Sequence, residues 1–287
     1  MFISDNWTDY QLLDAEGGER LERWGDYVLI RPDPQVIWHS ERVNPFWRKA
    51  QGIYRRSSSG GGAWVRRQMP DEWQITYRDL TFAVSPMGFK HTGIFPEQAV
   101  NWDYIAGQIQ NAGREIRLLN LFAYTGGATC ALAAAGAEAV HVDAAKGMVA
   151  WAKDNLSASG LADAPVRFIV DDAMKFVLRE QRRGRLYDGI LMDPPSYGRG
   201  PSGEVWKLEN ELYGLVDLCA QAMSDTPLFF LINGYTTGFS YTVLQNVAQR
   251  CLCGRYGGRA EADDLALAVT SGGVLPCGAT ARWTPRD

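Results

Sequence analysis

The chain has 287 residues, enough for one large domain or for one domain with a smaller companion. Hydrophobic residues make up 46% and charged residues 22%, which is typical of a soluble globular protein and excludes a largely disordered one. The net charge of −4 provides no overall attraction for nucleic acid, so a nucleic-acid substrate would need a local basic patch or a partner that supplies one.

The first residues lack the basic and apolar stretches of a secretory signal, and no apolar run approaches the roughly 18 residues that span a bilayer. The five cysteines, Cys130, Cys219, Cys251, Cys253 and Cys277, are scattered and odd in number, unlike a disulfide framework. Cys251 and Cys253 lie too close together for the usual zinc knuckle, and the three histidines are remote from them in sequence. We therefore expect a cytoplasmic protein with reduced cysteines, no metal and no membrane contact.

Residues 1–100 are typical of a small β-rich subdomain. Asp26–Arg31 and Trp73–Tyr77 are rich in β-branched and aromatic residues, and Leu80–Ser85 follows the second after a turn. Between them, Ser57–Gly62 (SSSGGG) is typical of a flexible loop.

Four arginines flank this loop: Arg55, Arg56, Arg66 and Arg67. They allow two interpretations, which stay open here. The loop is either a solvated hairpin tip or an arm that contacts phosphates of a nucleic acid.

From Ile116 onward the pattern changes to alternating strands and helices. Five short apolar runs predict strands at Ile116–Phe122, Ala139–Val142, Val166–Val170, Gly189–Met192 and Leu228–Ile232. Helical spacing follows them, for example at Ala145–Ser157 and Asn210–Met223, and Ala279–Trp283 predicts one more short strand. Repeated βα units predict an α/β fold with a Rossmann-like parallel sheet, buried on both faces, in residues 101–287.

The turn after the first strand of this domain contains two adjacent glycines, Gly126 and Gly127. Glycines let the backbone approach a ligand closely, and the following helix offers free N–H groups. In an open α/β sheet, ligands bind beyond the carboxyl ends of the strands, where the strand order reverses. The alternative is a tight strand-to-helix turn without a ligand.

Acidic residues follow the next three strands. Asp143, seventeen residues after Gly126, could accept hydrogen bonds from a ribose diol. The third strand ends in Asp171-Asp172-Ala173, where a carboxylate could accept one from an adenine amino group, and Asp193 opens the sequence Asp-Pro-Pro-Ser-Tyr. Each of them alone could instead be the N-cap of a helix.

Two cofactors contain both a ribose and an adenine, namely NAD and S-adenosylmethionine. A dinucleotide needs the G-x-G-x-x-G spacing for its pyrophosphate, and the first turn lacks it. S-adenosylmethionine has no phosphate and carries a sulfonium, which suits an acidic lining. The pattern therefore favours a methyltransferase over an oxidoreductase.

Four segments, NLFAYTGGAT, HVDAAKGMVAWAKDNLSASGL, DDAMKFV and MDPPSYG, resemble class I S-adenosylmethionine-dependent methyltransferases. They are most similar to bacterial large-subunit ribosomal RNA methyltransferases that act on cytosine carbon 5 or on guanine. KHTGIFPEQ, residues 90–98, resembles the motif K-T-G-x-F-x-D-Q-R that precedes the catalytic domain in that family. The resemblance covers about residues 75–287.

The resemblance implies a set of site residues. The cofactor-binding residues would be Phe95, Gln98, Asn120, Phe122, Tyr124, Thr125, Gly126, Gly127, Asp143, Asp172, Ala173 and Asp193. Among them, Asp143 would bind the ribose and Asp172 the adenine, while Phe95 and Gln98 would close the pocket from the N-terminal subdomain. The methyl group and the substrate would face Asp193, Pro194, Pro195 and Tyr197.

Three departures from the family pattern affect the substrate. Ala99 stands where the family usually has Arg, and no separate RNA-binding domain precedes the β-rich subdomain. Relatives that methylate cytosine carbon 5 have a cysteine just after the fifth strand, where this chain has Asn233-Gly234-Tyr235-Thr236-Thr237.

The missing cysteine favours nitrogen as the methyl acceptor, because a pyrimidine carbon 5 needs a thiolate to activate it. The missing RNA-binding domain and the acidic pI support a protein or small-molecule substrate instead. Tyr197 is a candidate platform for stacking the base, or else an aromatic residue packed against its own loop. We expect Cys130 and Cys219 in the core, and Cys277, placed in a loop, is the one candidate nucleophile. The leading hypothesis is a ribosomal RNA base methyltransferase. The alternatives are a protein or small-molecule methyltransferase and a cofactor-binding module without chemistry.

Overall fold

The computed structural model describes residues 1–57, 61–66, 68–199, 205–236 and 238–286. The chain forms two compact units. One contains residues 2–100 and 266–277, and the other contains residues 101–265 and the chain from Gly278 onward. The expected division between residues 100 and 101 stays a prediction, and residues 266–277 belong to the N-terminal unit.

The N-terminal unit is built mainly of antiparallel strands, as its sequence predicts. The strands are β1 (Phe2–Ser4), β2 (Tyr10–Glu16), β3 (Glu19–Trp24), β4 (Tyr27–Pro32), β5 (Gly52–Arg56), β6 (Gly62–Arg66), β7 (Trp73–Tyr77) and β8 (Leu80–Val84). Strands β2 to β6 form one sheet in sequence order, and β7 and β8 form a separate hairpin. Short 3-10 helices occupy Pro45–Arg48 and Pro96–Gln98.

Strand β3 escaped the sequence analysis because charged side chains occupy its buried positions. Glu22 is fully buried and accepts hydrogen bonds from Arg31 at 2.6 Å and from the Tyr10 hydroxyl at 2.8 Å. Arg20 lies 3.5 Å from the same carboxylate. Buried charges persist when they are paired, so the inward side of this strand is polar and hides the usual alternation.

The second unit has the alternating elements that the apolar runs predict. Its helices are α1 (Ala99–Asn111), α2 (Gly127–Ala134), α3 (Lys146–Ala158), α4 (Ala173–Arg182), α5 (Leu208–Ala220), α6 (Tyr241–Ala248) and α7 (Gly254–Tyr256), with a π-helical turn at Gln249–Cys253. Its strands are β9 (Arg117–Leu121), β10 (Glu138–Asp143), β11 (Val166–Val170), β12 (Gly189–Met192), β13 (Tyr197–Arg199), β14 (Val205–Lys207), β15 (Phe229–Gly234), β16 (Arg259–Ala268) and β17 (Val274–Thr284). No helix in the described part of the chain is long and apolar enough to cross a membrane.

The large sheet of this unit has the strand order β16-β17-β15-β12-β9-β10-β11. Strands β11, β10, β9, β12 and β15 are parallel, and β17 pairs antiparallel with β15. The chain passes from β9 to β10 on one side and later returns to β12 on the other. The order therefore reverses at β9, which is where a Rossmann-like sheet binds its ligand.

The core of the sheet explains why the apolar runs were informative. All six residues of β15 and all four of β12 are buried, so both faces of these strands are covered. The predicted fold class, a Rossmann-like α/β sheet with an N-terminal β-rich part, is confirmed.

One prediction about the end of the chain is wrong. The last strand begins at Val274 rather than at Ala279, so Cys277 lies within β17 and not in a loop. The Gly/Pro-rich sequence before Ala279 suggested a connection, but Pro276 and Gly278 are both accommodated in this strand. Glycine is required at 278 by close packing, since a Cβ there would lie 2.9 Å from the Gly234 carbonyl oxygen and from the Tyr235 ring.

Candidate active site

The turn between β9 and α2, residues 122–127, is called the cofactor turn here. Phe122 and Tyr124 have φ values of 54° and 52°, in the left-handed region, and Gly126 has 83°. For residues with a side chain this conformation costs roughly 1–2 kcal/mol each. The main chain of the turn is tied to the neighbouring strand, because the Ala123 N–H donates to the Val142 carbonyl at 3.0 Å.

Asp143 at the end of β10 holds the cofactor turn by its main chain. One carboxylate oxygen accepts from the Tyr124 N–H at 2.8 Å, and the other accepts from the Ala145 N–H at 2.8 Å. An ionised carboxylate has about four acceptor positions, so these two bonds leave capacity for a ribose diol. Asp143 is thus both a structural clamp and the best-placed acceptor beside the turn.

Helix α3 packs closely behind the cofactor turn. A Cβ on Gly126 would lie 2.8 Å from the Cβ of Ala152, and the positive φ independently favours glycine. The buried Asn155 donates from its amide nitrogen to the Thr125 carbonyl at 2.8 Å. Tight packing therefore accounts for Gly126, as the alternative interpretation of the glycine pair expected.

A buried polar chain lies beneath the turn. Asn120 donates its amide N–H to the Thr129 hydroxyl at 3.0 Å, and that hydroxyl shares a hydrogen bond with His141 Nδ1, 2.9 Å away. Burial lowers the pKa of His141 to about 3, so its ring is neutral. The Asn120 side chain serves this internal chain, and its contact with a cofactor stays a prediction.

Asp172 begins helix α4 as an N-cap. Its carboxylate accepts from the Lys175 N–H at 2.9 Å, which is the alternative role that the sequence left open. Asp171 forms an ion pair with Arg179, and Ala173 is buried as the first residue of the helix. The predicted contact of Asp172 and Ala173 with adenine stays a prediction beside this structural role.

Residues 193–197 follow β12 and are called the acceptor loop here. The Asp193 N–H approaches the Leu121 carbonyl at 3.4 Å, so the loop starts directly beside β9. The Pro195 carbonyl accepts from the Trp206 indole N–H at 2.6 Å, and the Trp206 ring lies 5.6 Å from the Phe122 ring. Trp206 therefore joins the acceptor loop to the cofactor turn. It went unnoticed in the sequence because no regular pattern surrounds it.

The second half of the acceptor loop is fixed from two sides. The Leu208 N–H donates to the Ser196 carbonyl at 3.1 Å, and the Thr236 hydroxyl donates to the Ser196 hydroxyl at 2.7 Å. Tyr197 then enters β13, which pairs with β14, and 50% of its surface is exposed. Stacking of a base on Tyr197 stays a prediction.

Asn233, near the carboxyl end of β15, belongs to a buried network. Arg282 donates two hydrogen bonds to Asn101 Oδ1, at 2.7 and 3.2 Å, and its guanidinium lies 4.3 Å from the Tyr104 ring centre. Asn101 in turn donates to Asn233 Oδ1 at 3.1 Å, and the Thr280 hydroxyl also donates to that oxygen. Because a guanidinium only donates hydrogen bonds, Asn101 must turn its amide oxygen toward Arg282. The Asn101 amide nitrogen then points to Asn233, which must offer its own amide oxygen. Burial lowers the pKa of Arg282 to about 10.

The cysteines show no sign of an activated thiol. Cys130 and Cys219 are fully buried in the core, as predicted, and burial raises the pKa of Cys130 to about 12. Burial and the nearby Glu97 raise the pKa of Cys277 well above its ordinary value. A reactive thiol requires a lowered pKa, so that the thiolate is populated at neutral pH. In the described ranges, no group of three or more His, Cys, Asp or Glu residues is arranged to hold a metal ion.

Phe95 and Gln98 lie in the N-terminal unit. Phe95 precedes the 3-10 helix at Pro96–Gln98, and its ring lies 5.4 Å from that of His91. Gln98 is buried, with 8% of its surface exposed. Their predicted closure over the cofactor stays a prediction.

The residues at the strand ends fit S-adenosylmethionine. Residues 122–127 contain no cation that could neutralise a pyrophosphate, and Asp143 offers its carboxylate to a diol. The acidic Asp193 lies on the other side of the same turn, which suits a ligand with a sulfonium and an amino group. Asp143 would hold the ribose, and the turn would hold the amino-acid end.

Comparison with known proteins identifies the family. Residues 42–248 match the model of the S-adenosylmethionine-dependent methyltransferases. A SAM-dependent methyltransferase of Agrobacterium tumefaciens is 35% identical, with a TM-score of 0.93 over 99% of this chain and 93% of that one. The ribosomal RNA large subunit methyltransferase K/L of Shewanella baltica is 36% identical over 119 residues, 40% of this chain and 16% of its own length.

The ribosomal RNA large subunit methyltransferase K of Neisseria meningitidis is 27% identical over 74% of this chain and 62% of its own length. This chain thus matches only part of these curated relatives, about a sixth of the first one. The family model, by contrast, covers well over half of this chain. The chain belongs to the S-adenosylmethionine-dependent methyltransferases.

Proposed function

We propose that this methyltransferase transfers the methyl group of S-adenosylmethionine to a nitrogen of a base in ribosomal RNA. The observation that carries the proposal is the acceptor loop. Asp193 lies beside the cofactor turn, and the loop is held at both Pro195 and Ser196 while Tyr197 remains half exposed. The names of the relatives from Shewanella and Neisseria support ribosomal RNA as the substrate.

When bound, S-adenosylmethionine supplies a methyl carbon that is already activated, so the protein mainly positions and desolvates the acceptor. The Asp193 carboxylate can accept a hydrogen bond from an exocyclic amino group of the base. The carbonyl oxygens of Pro194 and Pro195 can also accept one. The two prolines fix φ and make the loop rigid before the substrate arrives. Tyr197, with its exposed ring, would stack against the base.

The side chain at the carboxyl end of β15 supports a nitrogen acceptor. The stretch where a cysteine would be expected for carbon 5 begins with Asn233, whose side-chain oxygen accepts from Asn101 and Thr280 in the buried network. Cys277 lies in the strand β17 with a raised pKa, which opposes formation of a thiolate. Carbon 5 methylation needs such a thiolate to add to the ring.

The test compares ribosomal RNA nucleosides, by mass spectrometry, from cells with and without the gene. We expect one methylated nucleoside, modified on nitrogen, to disappear with the gene and to reappear when purified protein and S-adenosylmethionine are added. Cys277→Ser should retain nearly full turnover. Loss of activity in that variant, or a covalent complex with RNA that contains 5-fluorocytosine, would assign carbon 5 and refute the nitrogen acceptor. Methyl transfer to protein or to small metabolites, with none to RNA, would refute the RNA substrate.

A further inference from the structure

The four arginines around the N-terminal hairpin do not act as one group. Strands β5 and β6 are antiparallel, and Tyr54 pairs directly with Trp64, so these two aromatic residues share one face. Side chains alternate along a strand, which places Arg56 on the Tyr54 side and Arg55 on the opposite side with Val65. Both arginines are exposed.

The third arginine is already engaged, and the fourth lies outside the described residues. Arg66 forms an ion pair with Asp71 and donates to the Pro86 carbonyl at 3.1 Å. Arg67 falls in a gap of the structure. Among the described residues, neither Arg55 nor Arg56 takes part in an ion pair, so the two differ mainly in the face on which they lie.

An exposed aromatic ring lies next to the Arg56 face. Residues 85–92 form a loop that is closed by bonds from the Ser85 N–H to the Thr92 carbonyl and from the Met87 N–H to the His91 carbonyl. Phe89, near its tip, has 62% of its surface exposed. The Trp64 indole N–H donates to the Phe89 carbonyl at 2.9 Å and so anchors the loop to β6.

The exposed cation on the side of Phe89 is Arg56. It lies on the same face of the hairpin as Trp64, whose indole N–H holds the Phe89 carbonyl. Lys90, the next residue after Phe89, is half-buried, and its ammonium donates to the Pro32 carbonyl at 3.4 Å. Phe89 and Arg56 thus offer an apolar ring and a positive charge on one side of the hairpin.

We propose that Phe89 and Arg56, supported by Trp64, form a surface that binds an unpaired segment of RNA with one base stacked on the Phe89 ring. The inference rests on the proposed function, since it assumes an RNA substrate. Aromatic rings beside cations are the usual means of binding single-stranded nucleic acid, because every base has a face that can stack. A base-paired duplex keeps its bases stacked inside and offers Phe89 no such face.

The surface would also account for the acidic chain. A net charge of −4 opposes RNA binding overall, so a local contact has to supply the attraction. In this structure the Phe89 ring and Arg56 on one face provide it, while the described residues of β5 and β6 on the opposite face, with Arg55 and Val65, include no aromatic ring. Substitutions on the opposite face of the same hairpin can therefore serve as controls.

The experiment measures fluorescence anisotropy of a labelled single-stranded RNA of about 12 nucleotides, and of its duplex, over a series of salt concentrations. We expect Phe89→Ala to weaken binding of the single strand by about tenfold, and Phe89→Trp to restore it. Arg56→Ala should lower the slope of log affinity against log salt by roughly 0.7. The matched controls Val65→Ala and Arg55→Ala, on the opposite face, should change each quantity much less.

Equal losses in Phe89→Ala and Val65→Ala, or equal affinities for single strand and duplex, would overturn the proposal. Displacement of the RNA by polyglutamate of equal charge would assign the surface to an acidic protein and would also overturn it. Failure of the proposed function is a separate result, namely absence of methyl transfer to ribosomal RNA by the wild-type protein. If the wild type methylates RNA and Phe89→Ala does so with an unchanged KM, only the present inference fails.

Discussion

The cofactor turn and the acceptor loop lie side by side, but they are held in different ways. The turn is fixed through its main chain, by Asp143 on the Tyr124 N–H and by Asn155 on the Thr125 carbonyl. The loop is fixed by Trp206 and Thr236, side chains that come from later parts of the chain. Asp143 and Asn155 belong to β10 and α3, elements that the sequence pattern predicts, whereas Trp206 belongs to β14, which no pattern indicated.

The largest effect is expected in the acceptor loop. Asp193→Ala should lower turnover by about a hundredfold or more while the affinity for S-adenosylmethionine changes little, because the carboxylate acts mainly at the transition state. Methylation kinetics with a ribosomal RNA fragment and calorimetry with the cofactor measure the two quantities. Asp217→Ala, in the exposed part of α5, is the control and should change neither. A parallel loss of turnover and affinity would make Asp193 part of the cofactor turn.

The next effect concerns the clamp of the cofactor turn. Asp143→Ala should weaken S-adenosylmethionine binding by roughly 1–3 kcal/mol, since the ribose and the Tyr124 N–H both lose an acceptor. Isothermal titration calorimetry measures the affinity. Asp172→Ala removes the carboxylate that caps helix α4. Loss of this N-cap should lower the free energy of unfolding by about 1 kcal/mol. A dissociation constant that does not change in Asp143→Ala would refute the assignment of the ribose.

The smallest effect is a change of stability with pH. It tests the buried polar chain of Asn120, Thr129 and His141 below the cofactor turn. The pKa of His141 is lowered from 6.5 to about 3, so the unfolded chain takes up this proton below pH 6.5 and the folded one does not. The stability that neutral His141 provides is therefore present above pH 6.5 and is lost progressively as the pH falls toward 3. The free energy of unfolding should decrease by about 1.4 kcal/mol per pH unit in this range from His141 alone.

Urea unfolding of wild type and His141→Gln at pH 7 and pH 5 measures this slope. The variant should lose the contribution, because glutamine does not titrate and can still accept from Thr129. His91, whose pKa is lowered to about 4 by burial and by the charge of Arg31, adds a similar slope in both proteins and cancels in the difference.

The cofactor turn and the acceptor loop also differ in how far the sequence predicted them. The strands Val166–Val170 and Gly189–Met192 were predicted with their observed bounds from their apolar runs, and the second is buried at every position. Asp143 and Asp193 could be placed at strand ends by counting from those runs. Helix α1 and strand β17 are far apart in sequence, and no local pattern could bring Asn101 to Arg282 across 181 positions.

The remaining failures have local causes. Buried ion pairs concealed β3, and Pro276 and Gly278 suggested a loop where β17 runs. Counting from the ends of the predicted strands located Asp172 but could not decide its role. A carboxylate at the start of a helix can cap the helix, contact a ligand or do both. Sequence patterns locate such a residue without choosing between its roles.

The left-handed conformation of Phe122 stores backbone strain of roughly 1–2 kcal/mol that glycine would relieve. The Phe122 ring, however, packs against the hydrophobic core and contacts Trp206, and its removal should cost roughly 3–5 kcal/mol. Phe122→Gly should therefore lower the melting temperature. A screen for heat resistance alone would then retain Phe122 and, with it, the contact that joins the cofactor turn to the acceptor loop.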